Sequence, residues 1–138
     1  MWIFYSLLSA LFAACTAICA KVGVRDVDSN LATAIRTTVI LILTWGIVLF
    51  SGRLQEIKSI GSHTWLFLLL SGIATGLSWL FYFKALQLGD VSRVAPIDKL
   101  SVVITIILAF LLLREPVNAK VIIGALLITS GSIVMMCR

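Results

Sequence analysis

The sequence has little charge for its length, and this scarcity limits the kinds of protein it can encode. Of its 138 residues, 12% are Asp, Glu, Lys or Arg and 61% are hydrophobic, with a mean hydropathy of +1.14. A soluble domain carries about a quarter charged residues, so this chain has too few to cover a water-facing surface. The composition therefore favours lipid as the surroundings of most of the chain.

Histidine and cysteine are also scarce, and no motif for catalysis is found in the sequence. His63 is the sole histidine, and the three cysteines show no Cys-x-x-Cys or Cys/His spacing. Cys15 and Cys19 lie in one uncharged run and Cys137 ends another, so we interpret them as packing residues. The sequence contains no nucleophile elbow, phosphate-binding loop or dinucleotide fingerprint. We therefore predict that the protein is not an enzyme and binds no metal or cofactor.

The net charge of +5 does not indicate a nucleic-acid partner. Nucleic-acid-binding domains cluster their basic residues on one face. Here the basic residues occur singly or in pairs between apolar runs, where membrane proteins keep their flanking Lys and Arg. We therefore expect membrane lipid, and no nucleic acid, as a partner.

Long apolar runs predict five transmembrane helices. A helix needs about 20 apolar residues to cross a bilayer. Backbone groups inside lipid find hydrogen-bond partners only in helices or closed barrels, which places the chain in the all-α class. We interpret residues 1–138 as a single transmembrane domain, a multi-pass bundle of five helices. The spans are expected at about 2–22, 31–50, 65–84, 94–113 and 116–137.

Residues between the runs support these limits. Asp28, Ser29 and Asn30 are all N-cap residue types, and Ser29 or Asn30 would begin the second helix. Pro116 cannot continue a helix but fits the first turn of the next one. The link between the fourth and fifth spans is short, so these spans should be antiparallel neighbours.

Small residues on three spans predict close helix packing. Helices in lipid associate through small residues that let their backbones approach. The third span carries Gly72 and Gly76 as a G-x-x-x-G pair, the fifth carries Gly124 and Gly131, and the first carries several alanines. We expect spans one, three and five to have tight neighbours.

Four charged residues touch the spans and are candidate site residues because a charge at the bilayer centre costs about 2.5–3.5 kcal/mol. Arg36 and Lys84 have long side chains, so the alternative is that they reach back to the interface. Asp98 is too short for that and needs water or a partner, and Lys99 should point about 100° away from it on a helix. With Pro96 nearby, the pair marks either the mouth of a wet cavity or simply a helix that starts at Asp98.

Several positions together resemble a known family. They are Arg36 early in span two, 82–86 at the end of span three, Pro96 at the start of span four, Glu115 before span five, and Gly124 and Gly131 in span five. Over nearly the whole chain they resemble one repeat of the EamA-type family in the drug/metabolite transporter superfamily. Most members resemble two such repeats of opposite orientation, ten helices in all, and transport small metabolites.

The resemblance implies that the protein transports a small metabolite. It also implies a location in the plasma membrane, which is the inner membrane of a bacterial cell. Five helices hardly enclose a path alone, so inverted-repeat logic implies a homodimer of ten helices and favours an antiparallel arrangement of its two subunits. The alternative is a non-transporting membrane subunit of a larger complex.

The resemblance and the intramembrane charges together suggest a substrate site. Its cations would hold an anionic group, its rings would flank an apolar part, and Asp98 is the acid that could couple transport to an ion. For the two rings, anchoring at the membrane interface is the alternative. The expected substrate-binding residues are Arg36, Trp79, Tyr82, Lys84, Asp98 and Lys99.

The basic residues give only a weak preference for one orientation. Five spans would place seven of them on one side, namely Lys21, Arg25, Arg36, Lys84, Arg93, Lys99 and Arg138. The other side would hold four, namely Arg53, Lys58, Arg114 and Lys120. Without Arg36 and Lys99, which lie within spans, the balance is five against four. Such a weak bias suits insertion in both orientations.

Overall fold

The computed structural model describes residues 1–136, so Cys137 and Arg138, at the predicted end of the fifth span, lie outside the described residues. Every regular element within 1–136 is a helix, which confirms the all-α prediction. The elements are α1 (Trp2–Gly23), α2 (Ser29–Phe50), a 3-10 helix (Arg53–Ser59), α3 (Ser62–Leu88), α4 (Val91–Asp98), α5 (Leu100–Leu108), a π-helical turn (Ala109–Leu113) and α6 (Ala119–Met136).

Five helical stretches of the described chain are long and apolar enough to cross a membrane, as predicted. They are α1, α2, α3, the stretch Val91–Leu113 and α6. Most of their large apolar side chains are exposed. Exposing this much apolar surface to water is unfavourable in free energy, so the surface requires lipid or a second protein around it.

The second helix begins at Ser29, one of the two predicted positions, and Asp28 caps it. The Asp28 carboxylate accepts hydrogen bonds from the backbone N–H groups of Asn30 at 2.9 Å and Leu31 at 3.2 Å. These N–H groups have no acceptor inside the helix, so without the Asp28 carboxylate they would lack a hydrogen-bond partner from the protein.

The last helix begins at Ala119, three residues later than the predicted position of Pro116. Asn118 determines this start, because its side-chain oxygen accepts from the N–H of Val121 at 3.0 Å. Pro116 therefore lies in the link 114–118 rather than in the first turn. At the start of the link, Arg114 caps the π-helical turn in the left-handed conformation, with φ 55° and ψ 32°.

The fourth span is interrupted at Lys99, where ψ is −9° between α4 and α5. Pro96 lies in the last turn of α4 and lacks the N–H that a regular helix would use. The N–H of Lys99 donates to the carbonyl of Pro96 at 3.1 Å, a tighter turn than in an α-helix. Asp98 is thus the last residue of α4, and the alternative in which a helix starts at Asp98 is wrong.

The chain divides into two compact units, each described by itself. The first unit comprises Met1–Ile18 and Leu88–Arg138, and here α4 and α5 both pack against α6. This packing confirms that spans four and five are neighbours. The hydroxyl of Ser132 on α6, with 4% of the residue exposed, donates to the carbonyl of Pro96 at 3.0 Å.

The second unit, Cys19–Gln87, joins the end of α1 and the start of α2 to the end of α3. Lys21 donates from Nζ to the carbonyl of Leu86 at 2.6 Å, and the Gln87 side-chain amide donates to the carbonyl of Val27 at 3.1 Å. Leu86 is fully buried and Val24 nearly so. The loop between α1 and α2 is therefore held against the end of α3.

The glycines of the third and fifth spans have no close neighbour within the described chain. A Cβ atom built at Gly72, Gly76, Gly124 or Gly131 would meet no heavy atom of another element within 4 Å. The expected tight packing at these positions is thus wrong inside residues 1–136, because five helices leave most of each span facing outward. On α1 the small residues Ala17 and Ala20 are buried.

Candidate functional site

Arg36 lies against two aromatic rings of α3. Its guanidinium carbon is 4.1 Å from the centre of the Trp79 ring and 5.2 Å from the centre of the Phe83 ring. Trp79 and Phe83 are four residues apart, so they share one face of α3. A cation within about 6 Å of a ring centre is attracted by the negative face of the ring. We call Arg36, Trp79 and Phe83 the aromatic clamp.

Two residues near the clamp in sequence are buried. Phe83, a member of the clamp, is 3% exposed, and Thr33, one turn before Arg36, is also buried. The Thr33 hydroxyl donates to the carbonyl of Ser29 at 2.8 Å, so it is satisfied within its own helix.

The remaining contacts of Arg36 are few. Tyr82, half-buried, lies near Arg36 and packs its ring edge-on to Phe83 at a centroid distance of 6.3 Å. Within residues 1–136, no hydrogen-bond or ion-pair partner of the Arg36 guanidinium is found. The structure thus brings Arg36, Trp79 and Tyr82 together, three of the six predicted site residues.

Lys84 belongs to the same unit and lies beside a small pocket. Its Nζ donates to the side-chain oxygen of Gln87 at 3.3 Å, and the side chain is exposed. The pocket has a volume of about 300 Å³, with polar residues at the start of α2 and three apolar residues and Lys84 on α3. Its lining residues are Asp28, Ser29, Asn30, Leu77, Leu80, Phe81 and Lys84.

Asp98 and Lys99 belong to the first unit, where they form an ion pair. Lys99 Nζ lies 3.7 Å from Asp98 Oδ2, and their side chains are 57% and 38% exposed, respectively. The expectation that Lys99 would be a poor partner is wrong, because it assumed a regular helix and α4 ends between them. An ion pair this exposed contributes about 0–1 kcal/mol.

A cavity of about 400 Å³ lies beside this break in the fourth span. Pro96 and Lys99 contribute from one side, and Ser132 contributes from α6. The remaining lining residues are Ala95, Leu127, Ile128, Gly131 and Met135. The cavity is therefore mostly apolar, with Lys99 as its one charged lining residue.

Sequence reasoning did not select Phe83, Gln87 or Ser132 as site residues. Phe83 could have been found, because its four-residue spacing from Trp79 predicts a shared helix face. Gln87 and Ser132 had no such signal: each makes a bond to a backbone carbonyl more than 30 positions away in the sequence.

Comparison with known proteins confirms the family resemblance. The model of the EamA-like transporter family matches residues 1–137. An uncharacterized transporter in the cobO 3'region of Sinorhizobium sp. is 51% identical over 134 residues, which make up 97% of this chain and 95% of that protein. No solved structure matches the chain.

Proposed function

We propose that this chain, which belongs to the EamA-like transporter family, carries a small metabolite across the bacterial inner membrane as a homodimer. Membership in the family supports a membrane transporter rather than an enzyme. The proposal adds two claims to this membership. The transported solute is a small metabolite, and two copies of the chain form the transporter.

The observation that carries the proposal is the aromatic clamp. Arg36 is seven residues beyond the first residue of α2, about 10 Å along the helix axis. Its guanidinium group lies over Trp79 and Phe83 of α3. Because a charge within a span is costly, charged residues there are rare and commonly mark a substrate or ion pathway.

A homodimer is supported by the open faces of the helices. Gly72 and Gly76 on α3, and Gly124 and Gly131 on α6, have no neighbour from the described chain within 4 Å of a built Cβ. Small residues of this kind allow helices in lipid to approach closely. The Sinorhizobium relative is of similar length, since the alignment covers 95% of it. Two copies would supply the ten helices of an inverted-repeat transporter.

In this proposal the substrate is bound in the second unit, which contains the aromatic clamp. Arg36 and Lys84 supply positive charge, and Trp79 and Tyr82 supply ring surfaces. Asp98 and Lys99 lie at the break of the fourth span, where a moving helix can bend. Asp98 is the acid available for coupling to an ion.

Two measurements on the full chain test the proposal. Co-expressed copies with two different tags should purify together in mild detergent and cross-link as a pair in native vesicles. Proteoliposomes should exchange at least one solute from a labelled panel of carboxylates, amino acids and nucleotides. Arg36→Ala should abolish that exchange without loss of protein, whereas Arg25→Ala, which removes an exposed loop arginine, should not.

Two outcomes would contradict the proposal. Solitary copies that still exchange solute would refute the homodimer. A chain that moves none of the panel and copurifies with an unrelated membrane protein would favour a non-transporting subunit instead.

A further inference from the structure

The geometry of the aromatic clamp points to the chemical class of the solute. We infer that the solute is bound through an oxyanion, a carboxylate or phosphate, by the N–H groups of Arg36, and that Trp79 is the residue that positions them. This inference rests on the proposed function, since it concerns the same site, and it adds a substrate class and a role for Trp79.

The structure distinguishes Arg36 from the other two predicted cations. Lys84 has the Gln87 side-chain oxygen at 3.3 Å, and Lys99 has the Asp98 carboxylate at 3.7 Å. The Arg36 guanidinium lies over the rings of Trp79 and Phe83, and no hydrogen-bond acceptor for its N–H groups is found in residues 1–136. Arg36 is therefore the cation that retains its donors for a ligand.

The shape of a guanidinium group determines what those donors can bind. The group is planar and carries five N–H donors that point outward in its plane, matching the paired oxygens of a carboxylate or phosphate. The Trp79 ring centre lies 4.1 Å from the guanidinium carbon. A ring over the face of the group leaves the N–H donors in its plane available.

Charge gives the site a preference for one sign. The rings attract the cation but do not neutralise it, because a ring face carries only a quadrupole. An oxyanion would neutralise Arg36 and satisfy its donors in one step. A cationic solute of the same size would be repelled, since the described neighbours of Arg36 include no carboxylate.

Trp79 acts through Arg36. Phe83 is buried and its ring centre is 5.2 Å from the guanidinium carbon, whereas Trp79 is only half-buried and lies closer to the cation. The Trp79 ring therefore holds the guanidinium group in the orientation in which its N–H groups can reach a ligand. Loss of the ring should weaken binding without changing the fold, and another ring at this position should restore it.

The binding experiment uses the full chain purified in phospholipid-free maltoside detergent. The ligands are acetate, benzoate and inorganic phosphate, with benzylammonium as a cation of the size of benzoate, and the readout is the dissociation constant from calorimetry. At least one oxyanion should bind and benzylammonium should not. Binding of none of the three oxyanions, or equal binding of benzylammonium, overturns the inference.

Variants then assign the binding to the clamp. Arg36→Ala and Arg36→Lys should each weaken oxyanion binding by about tenfold or more, and Arg25→Ala should leave it unchanged. Trp79→Leu should weaken it by about threefold or more, with Trp79→Phe close to wild type. Oxyanion binding that is the same in Arg36→Ala as in wild type overturns the site, and unchanged binding in Trp79→Leu overturns the role of the ring.

The phosphate of a lipid headgroup has the same chemistry as that of a phosphorylated solute. A second measurement therefore distinguishes a bound lipid from a bound solute. Phospholipid phosphorus is measured in wild type and in Arg36→Ala after identical purification. Equal values, together with oxyanion binding, support a solute site. More phospholipid in wild type, with benzoate displaced by added phosphatidylglycerol, identifies a lipid site and overturns the inference.

These outcomes are separable from failure of the proposed function. A monomeric or non-transporting chain that binds benzoate through Arg36 would refute transport or pairing and leave the oxyanion site intact. A transporting homodimer that binds benzylammonium as tightly as benzoate would support the proposed function and refute the oxyanion site.

Discussion

The hydroxyl of Ser132 donates a hydrogen bond to the backbone carbonyl of Pro96 at 3.0 Å. This bond connects α6 to the last turn of α4, directly before the break at Lys99. Pro96 weakens the regular hydrogen bonding of that turn, so the contact from α6 steadies the segment that the break would otherwise leave loose.

Replacing Ser132 by Ala should therefore destabilise the protein. The buried bond is lost, which should lower the free energy of unfolding by about 1 kcal/mol. Thermal unfolding in detergent measures the change. Ser130→Ala is the matched control, because Ser130 is exposed and its hydroxyl bonds only to Leu126 of its own helix at 2.8 Å. Equal shifts in the two variants would show that the bond to Pro96 has no special role.

Lys21→Met should release the end of α3 from α1. The Lys21 ammonium group donates to the Leu86 carbonyl at 2.6 Å, where the negative end of the helix dipole favours a cation. Losing this charged bond should cost about 1.5–3 kcal/mol in unfolding free energy, measured by denaturation in mixed micelles. Arg25→Met removes the same charge from the neighbouring exposed loop and should cost little. A comparable loss in both variants would contradict the role of the contact.

Asp28→Ala should loosen the first turn of α2. Without the carboxylate, the N–H groups of Asn30 and Leu31 lose their acceptor, at a cost of about 1 kcal/mol. Amide hydrogen exchange should become faster at these two residues, and Asp28→Ser should largely restore protection. Asp26→Ala, at an exposed position of the same loop, is the control. Unchanged exchange in Asp28→Ala would show that the cap does not hold the turn.

Membrane orientation should respond to a small change in charge. A reporter fused after Arg138 should be found on both faces of the membrane in the wild-type protein, because the basic residues are nearly balanced. Replacing Arg53 and Lys58 by Ala should move the reporter to the cytoplasmic face alone. Replacing Arg25 and Arg93 instead should move it to the opposite face. A reporter that stays on one face in all three proteins would contradict insertion in both orientations.

The sequence was sufficient to predict the five spans, because apolar runs of this length have few alternatives to a membrane helix. The helix ends were less predictable, since a cap depends on the direction of one side chain. Asp28, Ser29 and Asn30 are equally suitable by type, and only geometry selects Asp28. Asn118 likewise places the start of α6 after Pro116.

Part of the candidate site could also be predicted. Arg36 and Trp79 were selected by charge and ring position, and the structure brings them together. The contact between Asp98 and Lys99 was not predicted, because regular helix geometry fails where α4 ends. The open faces at Gly72 and Gly76 could not be distinguished by sequence from faces packed within the chain.

The link 114–118 has a consequence for the order of folding. Its five residues reach at most about 17 Å, and Arg114, the first of them, has the left-handed conformation and turns the chain sharply. Because the link is short, α6 stays close to α5 once α5 has entered the bilayer. The pairing of the two helices therefore costs little loop-closure entropy. The helical hairpin of α5 and α6 should therefore be the earliest tertiary structure to form, with slower long-range contacts added to it.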